Sequence, residues 1–283
     1  MRRYAIIIAA LSALFLSVFM TGAGLRKHPH PPPTPTPTVT TPTPTQTSAT
    51  PTVTPTSTST GAVWSSSAQY GTYQQTVGGI TYHWNNDAWC PSHGPETIWA
   101  NSPNDWGVTS QQTFSQSCWV MTYPHIGWWG GGALSSYAGL SSSEAETGPG
   151  YGGALQWEAA YDIWLNNGSP GSDSGYEIMI WTDTSGVAPC CSIIAKPVID
   201  GVTFDLYQSQ GGNGPASWFV REGNVGSGTF NLKDFIAYIA SHGGNYPGPF
   251  DPQVDTVEFG WEVWGTGGVP VSFHVSQYSL VAR

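Results

Sequence analysis

From Gly61 onward the chain repeats one pattern: segments of four to eight residues rich in Tyr, Trp, Val and Ile, closed off by clusters of Gly, Asn, Pro and Ser. Runs of that length and composition make strands and turns. One segment breaks the pattern. In NLKDFIAYIASHG, Asn231 to Gly243, the residues Leu232, Phe235, Ile236, Ile239 and Ala240 recur at helical spacing, with Asn231 placed to cap the start and Gly243 to end it. The expected domain is therefore all-β with a single helix packed on a sheet. Composition agrees, since only 9% of residues are charged while 13% are aromatic, the reverse of what helical bundles need.

The first 60 residues read differently. Arg2-Arg3 precedes an apolar run from Ala5 to Met20, followed by small residues and then Arg26 and Lys27. That order predicts a secretory signal over residues 1–27, cleaved or retained as an anchor, although the run is short for a spanning helix, which needs about 20 residues. Between Pro31 and Thr60, 23 of 30 positions are Pro or Thr, a composition that cannot bury a core and favours extended chain. Residues 28–60 are thus expected to be a linker or stalk, and 61–283 one catalytic-size domain.

Only four basic residues follow position 60, against all 18 acidic ones. A field of that sign repels phosphate backbones, so nucleic acid is an improbable partner and a neutral one such as carbohydrate fits better. Cysteine use suits export. Cys90 and Cys118 can staple a loop, and Cys190-Cys191 is a vicinal pair that could close on itself or stay reduced. Four cysteines allow three pairings, of which Cys90 with Cys118 is preferred. No Cys or His spacing suggests a structural zinc site, and neither metal nor cofactor is expected.

Three strands carry acids in an unusual setting. In YEIMIW, Tyr176, Ile178 and Ile180 share one face and Glu177, Met179 and Trp181 the other. In TVEFGWEVW, Val257, Phe259, Trp261 and Val263 oppose Glu258, Gly260, Glu262 and Trp264. In QWEAAYDIWL, Glu158, Ala160, Asp162 and Trp164 oppose Trp157, Ala159, Tyr161 and Ile163. Carboxylates beside Met and Trp are costly to desolvate and are not ordinary solvated groups. The short NNGSPGSDSG connection predicts that the strands of Asp162 and Glu177 are antiparallel neighbours. Acids on a Trp-lined sheet face suggest a trough that stacks sugar rings, with two carboxyls at the bond to be broken.

The order and spacing of AAYDIWL (Ala159 to Leu165), YEIMIW, the lone helix and FGWEVWGTGG (Phe259 to Gly268) resemble glycoside hydrolase family 12, the endoglucanase and xyloglucanase family. The resemblance runs from about Gly71 to the C-terminus. It implies a β-jelly-roll sandwich of two curved antiparallel sheets, concanavalin-like, with the cleft on the concave sheet and the helix on the convex face. It implies Glu177 as nucleophile, Glu262 as acid/base, Asp162 as the neighbour assisting the nucleophile, and Met179 and Trp181 as cleft residues. WNNDAW (Trp84 to Trp89) resembles the family's Asn-Asn-x-Trp signature with one residue inserted, which makes Asn86 and Trp89 candidate sugar contacts. MTYPHIGWWGGG resembles the family's Tyr-Pro segment, with Trp128 and Trp129 as candidate cleft walls. The segment after Trp181, TDTSGVAPCCSIIA, departs from the family's Gly-Pro-Ile-Gly-like pattern.

The function so implied is a secreted, monomeric, retaining endo-β-1,4-glucanase acting on β-glucan. Glu158 and Glu258 are read as cleft-lining or solvated, not catalytic. Two alternatives remain at this level: another jelly-roll glycosidase such as a xylanase, and a non-catalytic sugar-binding lectin on a stalk.

Overall fold

A computed structural model describes residues 61–165, 175–209, 215–242 and 248–283. The expected signal and linker, residues 1–60, lie outside the described residues, as does Gly243, the residue placed to end the helix. Fifteen strands and one α-helix are found among the described residues. One sheet runs in the order β1 (Trp64–Ser66), β4 (Glu96–Ser102), β5 (Asp105–Ser110), β15 (Val271–Ala282), β7 (Leu140–Thr147) and β13 (Ser227–Phe230). The second, nine-stranded, runs β10 (Val198–Ile199), β11 (Val202–Ser209), β12 (Ala216–Arg221), β9 (Tyr176–Ser185), β8 (Leu155–Leu165), β14 (Gln253–Thr266), β6 (His125–Ala133), β3 (Ile80–Asn85) and β2 (Thr72–Val77). All pairings are antiparallel except β12 with β9. Two such sheets face to face form the expected β-sandwich.

The alternation read from the sequence decides which side of the nine-stranded sheet is dry. Trp157, Ala159, Tyr161 and Ile163 of β8, Tyr176, Ile178 and Ile180 of β9, and Val257, Phe259, Trp261 and Val263 of β14 all enter one core with Trp106 and Val108 of β5. Strand β15 meets them with Phe273 and Val275, then with Tyr278 and Leu280, because a bulge between Val275 and Gln277 switches the inward parity. Trp261 is the centre, with ring centroids 5.1 Å from Trp106 and 5.2 Å from Phe273. Truncating a buried side chain of that size costs about 3–5 kcal/mol.

Helix α1 spans Leu232–His242 and buries Leu232, Phe235, Ile236 and Ile239, the stripe the periodicity picks out. Phe235 meets Phe204 of β11 and Phe219 of β12 edge-on, each at 5.1 Å. The helix therefore covers the core side of the nine-stranded sheet, opposite the face that carries the acids. At its start the Asn231 amide donates to Asp234 Oδ2 at 2.8 Å, placing a carboxylate in the first turn where the helix dipole favours it. Among the described residues no helix is long and apolar enough to cross a membrane.

Glu96, Glu144 and Glu146 are among the carboxyls buried away from the cleft. Burial pushes Glu96, Glu144 and Glu146 up to about 8 from an ordinary 4.5. Thr122 donates to Glu96 at 2.7 Å, and the Trp261 indole donates to Glu146 at 3.3 Å. A carboxyl whose pKa is raised by folding binds more protons in the native state, so stability falls as pH climbs from about 4.5 to 8. The melting temperature is expected to drop between pH 5 and pH 8, each kcal/mol lost shifting it by about 2–4 °C. Glu144→Gln should make that slope shallower in a calorimetric pH series; an unchanged slope would remove Glu144 from the account.

Candidate active site

Strands β9, β8 and β14 lie side by side, and their outward faces form the floor of a cleft of about 1550 Å³. Asp162 sits at the middle of β8, directly opposite Met179 on one side and Glu258 on the other. Glu177 lies opposite Trp164, toward one end of β8, and Glu262 lies opposite Glu158, toward the other. The expected antiparallel pairing of the Asp162 and Glu177 strands is observed. Both Glu177 and Glu262 are partly exposed to the cleft, whereas Asp162 is 3% and Glu158 0% exposed.

Four of the acids that line the cleft act on one phenol. Tyr123 is held far above its ordinary pKa, first by burial and then by the negative potentials of Asp162, Glu258, Glu262 and Glu177. Among the carboxyls, burial raises Asp162 well above 3.8, and Glu177, Glu262 and Glu258 push it further. Burial also raises Glu262, partly offset by the Glu158 carboxyl and the Trp264 indole. Acids pushed up by burial beside a further carboxyl are the setting in which general acid chemistry near neutral pH is found. Glu258 has its own partner, His125 Nε2 at 3.6 Å.

Met179 and Trp181 line the cleft but are nearly covered, at 2% exposure each, in a small cluster with Ala160 beneath Trp218 and Val220. Trp89 lines the rim at 39% exposure. Cys90 and Cys118 are joined, as preferred from the sequence, and Cys190 is joined to Cys191. The first bridge ties Trp89 to a residue the sequence reading missed. Trp119, next to Cys118, is 56% exposed at a left-handed φ of 64° and stands edge-on to Trp264 at 6.0 Å. Its position beside a cysteine was the available signal. Tyr123 and His125, inside the quoted Tyr-Pro segment, were missed as well.

Two expectations need correction. Asn86 is 1% exposed, and its side-chain amide donates to the Ala68 carbonyl at 3.0 Å, so it stands behind the cleft wall. Asn85 and Asp87 line the cleft instead. Asp87 adopts a φ of 33°, with its backbone N–H donating to Asn85 Oδ1 at 3.1 Å. Trp128 also faces the wrong way for a cleft wall, because it packs on the core against Tyr137 while its neighbour Trp129 alternates outward. Trp129 is 50% exposed and stacks on His83 at 3.8 Å. Among the described residues no group of three or more His, Cys, Asp or Glu side chains could hold a metal ion.

Comparison with known sequences matches residues 140–281 to Glycosyl hydrolase family 12, a stretch that contains β8, β9, α1 and β14 and hence all three of the acids singled out. The chain belongs to glycosyl hydrolase family 12. Among solved structures, the xyloglucanase domain of NopAA, a type three effector from Sinorhizobium fredii in complex with cellobiose, is 30% identical with a TM-score of 0.65, covering 79% of this chain and 100% of that one. Endoglucanase 3 of Trichoderma harzianum superposes over 78% of this chain and 97% of its own with a TM-score of 0.67; at 23% identity it shows the shared fold alone. Xyloglucan-specific endo-beta-1,4-glucanase A of Aspergillus niger is 30% identical over 155 residues, 53% of this chain and 61% of that protein. A probable enzyme of the same description from Aspergillus fumigatus is 32% identical over 127 residues, 44% and 51% respectively. The chain spans about half the length of the curated relatives it matches. In this family 12 chain the Asn86 and Trp128 segments lie outside the matched stretch, which is where the expectations failed.

The neighbouring tryptophans give a direct test. Trp128→Ala should cost about 3 kcal/mol in denaturant unfolding because it empties packed space. Trp129→Ala should leave stability within about 0.5 kcal/mol yet weaken retention on an oligoglucan affinity gel. Equal effects of the two variants on stability would contradict the facing described.

Proposed function

We propose that this protein is a retaining endo-β-1,4-glucanase, with β-1,4-glucan chains, including xylose-branched ones, as substrate. The observation that carries the reading is the set of acids Glu177, Asp162 and Glu262 on the open faces of three adjacent strands in an aromatic cleft. Membership of family 12 supports it, and the names of the Aspergillus relatives favour the branched substrate.

In this mechanism the Glu177 carboxylate attacks the anomeric carbon as the glycosidic C–O bond breaks, and the Glu262 proton passes to the departing oxygen. Glu262, now ionised, then takes a proton from water, which displaces Glu177 with overall retention. Asp162, kept neutral by burial and by its acidic neighbours, serves Glu177 as a hydrogen-bond donor. Tyr123 and the tryptophans of the rim hold the sugar and exclude water. Residues 1–27 are proposed to direct export and 28–60 to act as a spacer, so that the domain works outside the cell as a monomer.

The decisive experiment follows the anomer formed by the 61–283 domain on cellulose, mixed-linkage glucan and xyloglucan by proton NMR. Release of the β-anomer first is the expected result; first release of the α-anomer would overturn retention, and binding without reducing-sugar release would favour the lectin. Glu177→Gln should lower turnover to the detection limit and Glu262→Gln by about 10²–10⁴-fold, with binding to xyloglucan retained. Asp162→Asn, which keeps a neutral donor, should cost only about tenfold.

A further inference from the structure

Glu158 takes no part in the mechanism above, yet it occupies the position directly across the β8–β14 pairing from Glu262. It is 0% exposed. On its β9 side the register partner is Thr184, which is neutral and directs its hydroxyl to the Trp157 carbonyl at 3.3 Å. On β14 the polar groups that act on it are the Glu262 carboxyl and the Trp264 indole, and along β8 it feels Asp162. The segment before β6, bridged to Val263 through Thr122, brings the Tyr123 phenol to the Glu262 side. No cation is among these groups. The two glutamates stand outside strict hydrogen-bond geometry, but directly opposed residues of an antiparallel pair have Cβ atoms only about 4.5–5.5 Å apart.

A carboxyl enclosed this way, facing two other acids and no cation, is far cheaper to keep neutral than ionised. We propose that Glu158 is a positioning residue that retains its proton and offers it to Glu262 as a neutral hydrogen-bond donor. While Glu262 is protonated, this contact occupies one of its oxygens and leaves the other, with its proton, turned to the glycosidic oxygen. When that proton has gone to the leaving group, the new Glu262 carboxylate accepts the Glu158 O–H, and the negative charge is stabilised without any transfer of the Glu158 proton. The direction of the electrostatics agrees: burial raises Glu158 well above 4.5, and the Glu158 contact lowers Glu262 against the rise from its own burial. The inference rests on the reading of Glu262 as acid/base.

The test compares pH profiles of kcat/KM for Glu158→Leu and Glu158→Gln. Removing the donor with Leu should move the alkaline limb up by about one to two pH units, while Gln, which keeps an N–H donor, should leave it near the parent's. A downward move in both variants would mean that Glu158 is an anion, and no move in either would mean that it is only structural; either result overturns the proposal. Infrared difference spectra of parent minus Glu158→Gln at pH 7 should contain a protonated-carboxyl C=O band even where the Leu variant does not fold, and its absence would overturn the proposal too. As a separate control, Glu262→Ala assayed on an aryl cellobioside with a good leaving group should lose the alkaline limb. Persistence of that limb would sink the acid/base assignment while leaving the infrared result on Glu158 intact.

Discussion

The domain depends on the two-residue alternation that β8, β9 and β14 keep between their bulges. The same backbone that sends Tyr161, Ile178 and Trp261 into the core sends Asp162, Glu177 and Glu262 to the opposite face. A slip of one residue in any of these strands would exchange the two sets, burying carboxylates among aromatics and exposing the aromatics to water. The hydrophobic core and the cleft are therefore not separate achievements of the sequence. Core burial, at about 1.5–3 kcal/mol for each large apolar side chain, locks the register that aligns the acids.

That arrangement concentrates like charge where water is scarce. With four acids around Tyr123 and one nearby imidazole, His125, the cleft cannot hold all of its carboxyls ionised. Protons must stay on some of them, and the most enclosed, Asp162 and Glu158, are the natural holders. The two partly exposed acids, Glu177 and Glu262, are the ones that meet substrate in the proposed mechanism. Differences in burial along one sheet thus give chemically similar side chains different surroundings, and the proposed division of roles follows those differences. The same physics recurs away from the cleft in Glu96, Glu144 and Glu146, where it bears on stability rather than on chemistry.

Much of this was legible in the chain before any coordinates. Strand facing followed from local alternation and the helix from its 3.6-residue period, while the Cys90–Cys118 bridge was the preferred one of three possible pairings. The resemblance to family 12 rested on motifs within the stretch that the family comparison matches. Trp128 and Trp129 mark a limit of a different kind: adjacent strand residues face opposite ways, so the chain itself excluded both as walls of one cleft. Asn86 failed for another reason. Its orientation depends on a left-handed turn at Asp87 and on the Ala68 carbonyl, neither of which the motif reports.

The sequence alone determined which residues share a face, since alternation within a strand is a property of local backbone geometry. Only the tertiary structure decided which acids become neighbours. That Glu258 falls opposite Asp162, that Glu158 falls opposite Glu262, and that Trp119 reaches Trp264 depend on pairing between segments far apart in the chain and on the Cys90–Cys118 disulfide. Cross-strand register is a collective outcome of core packing and bulges summed over the whole sheet, and no single segment contains it.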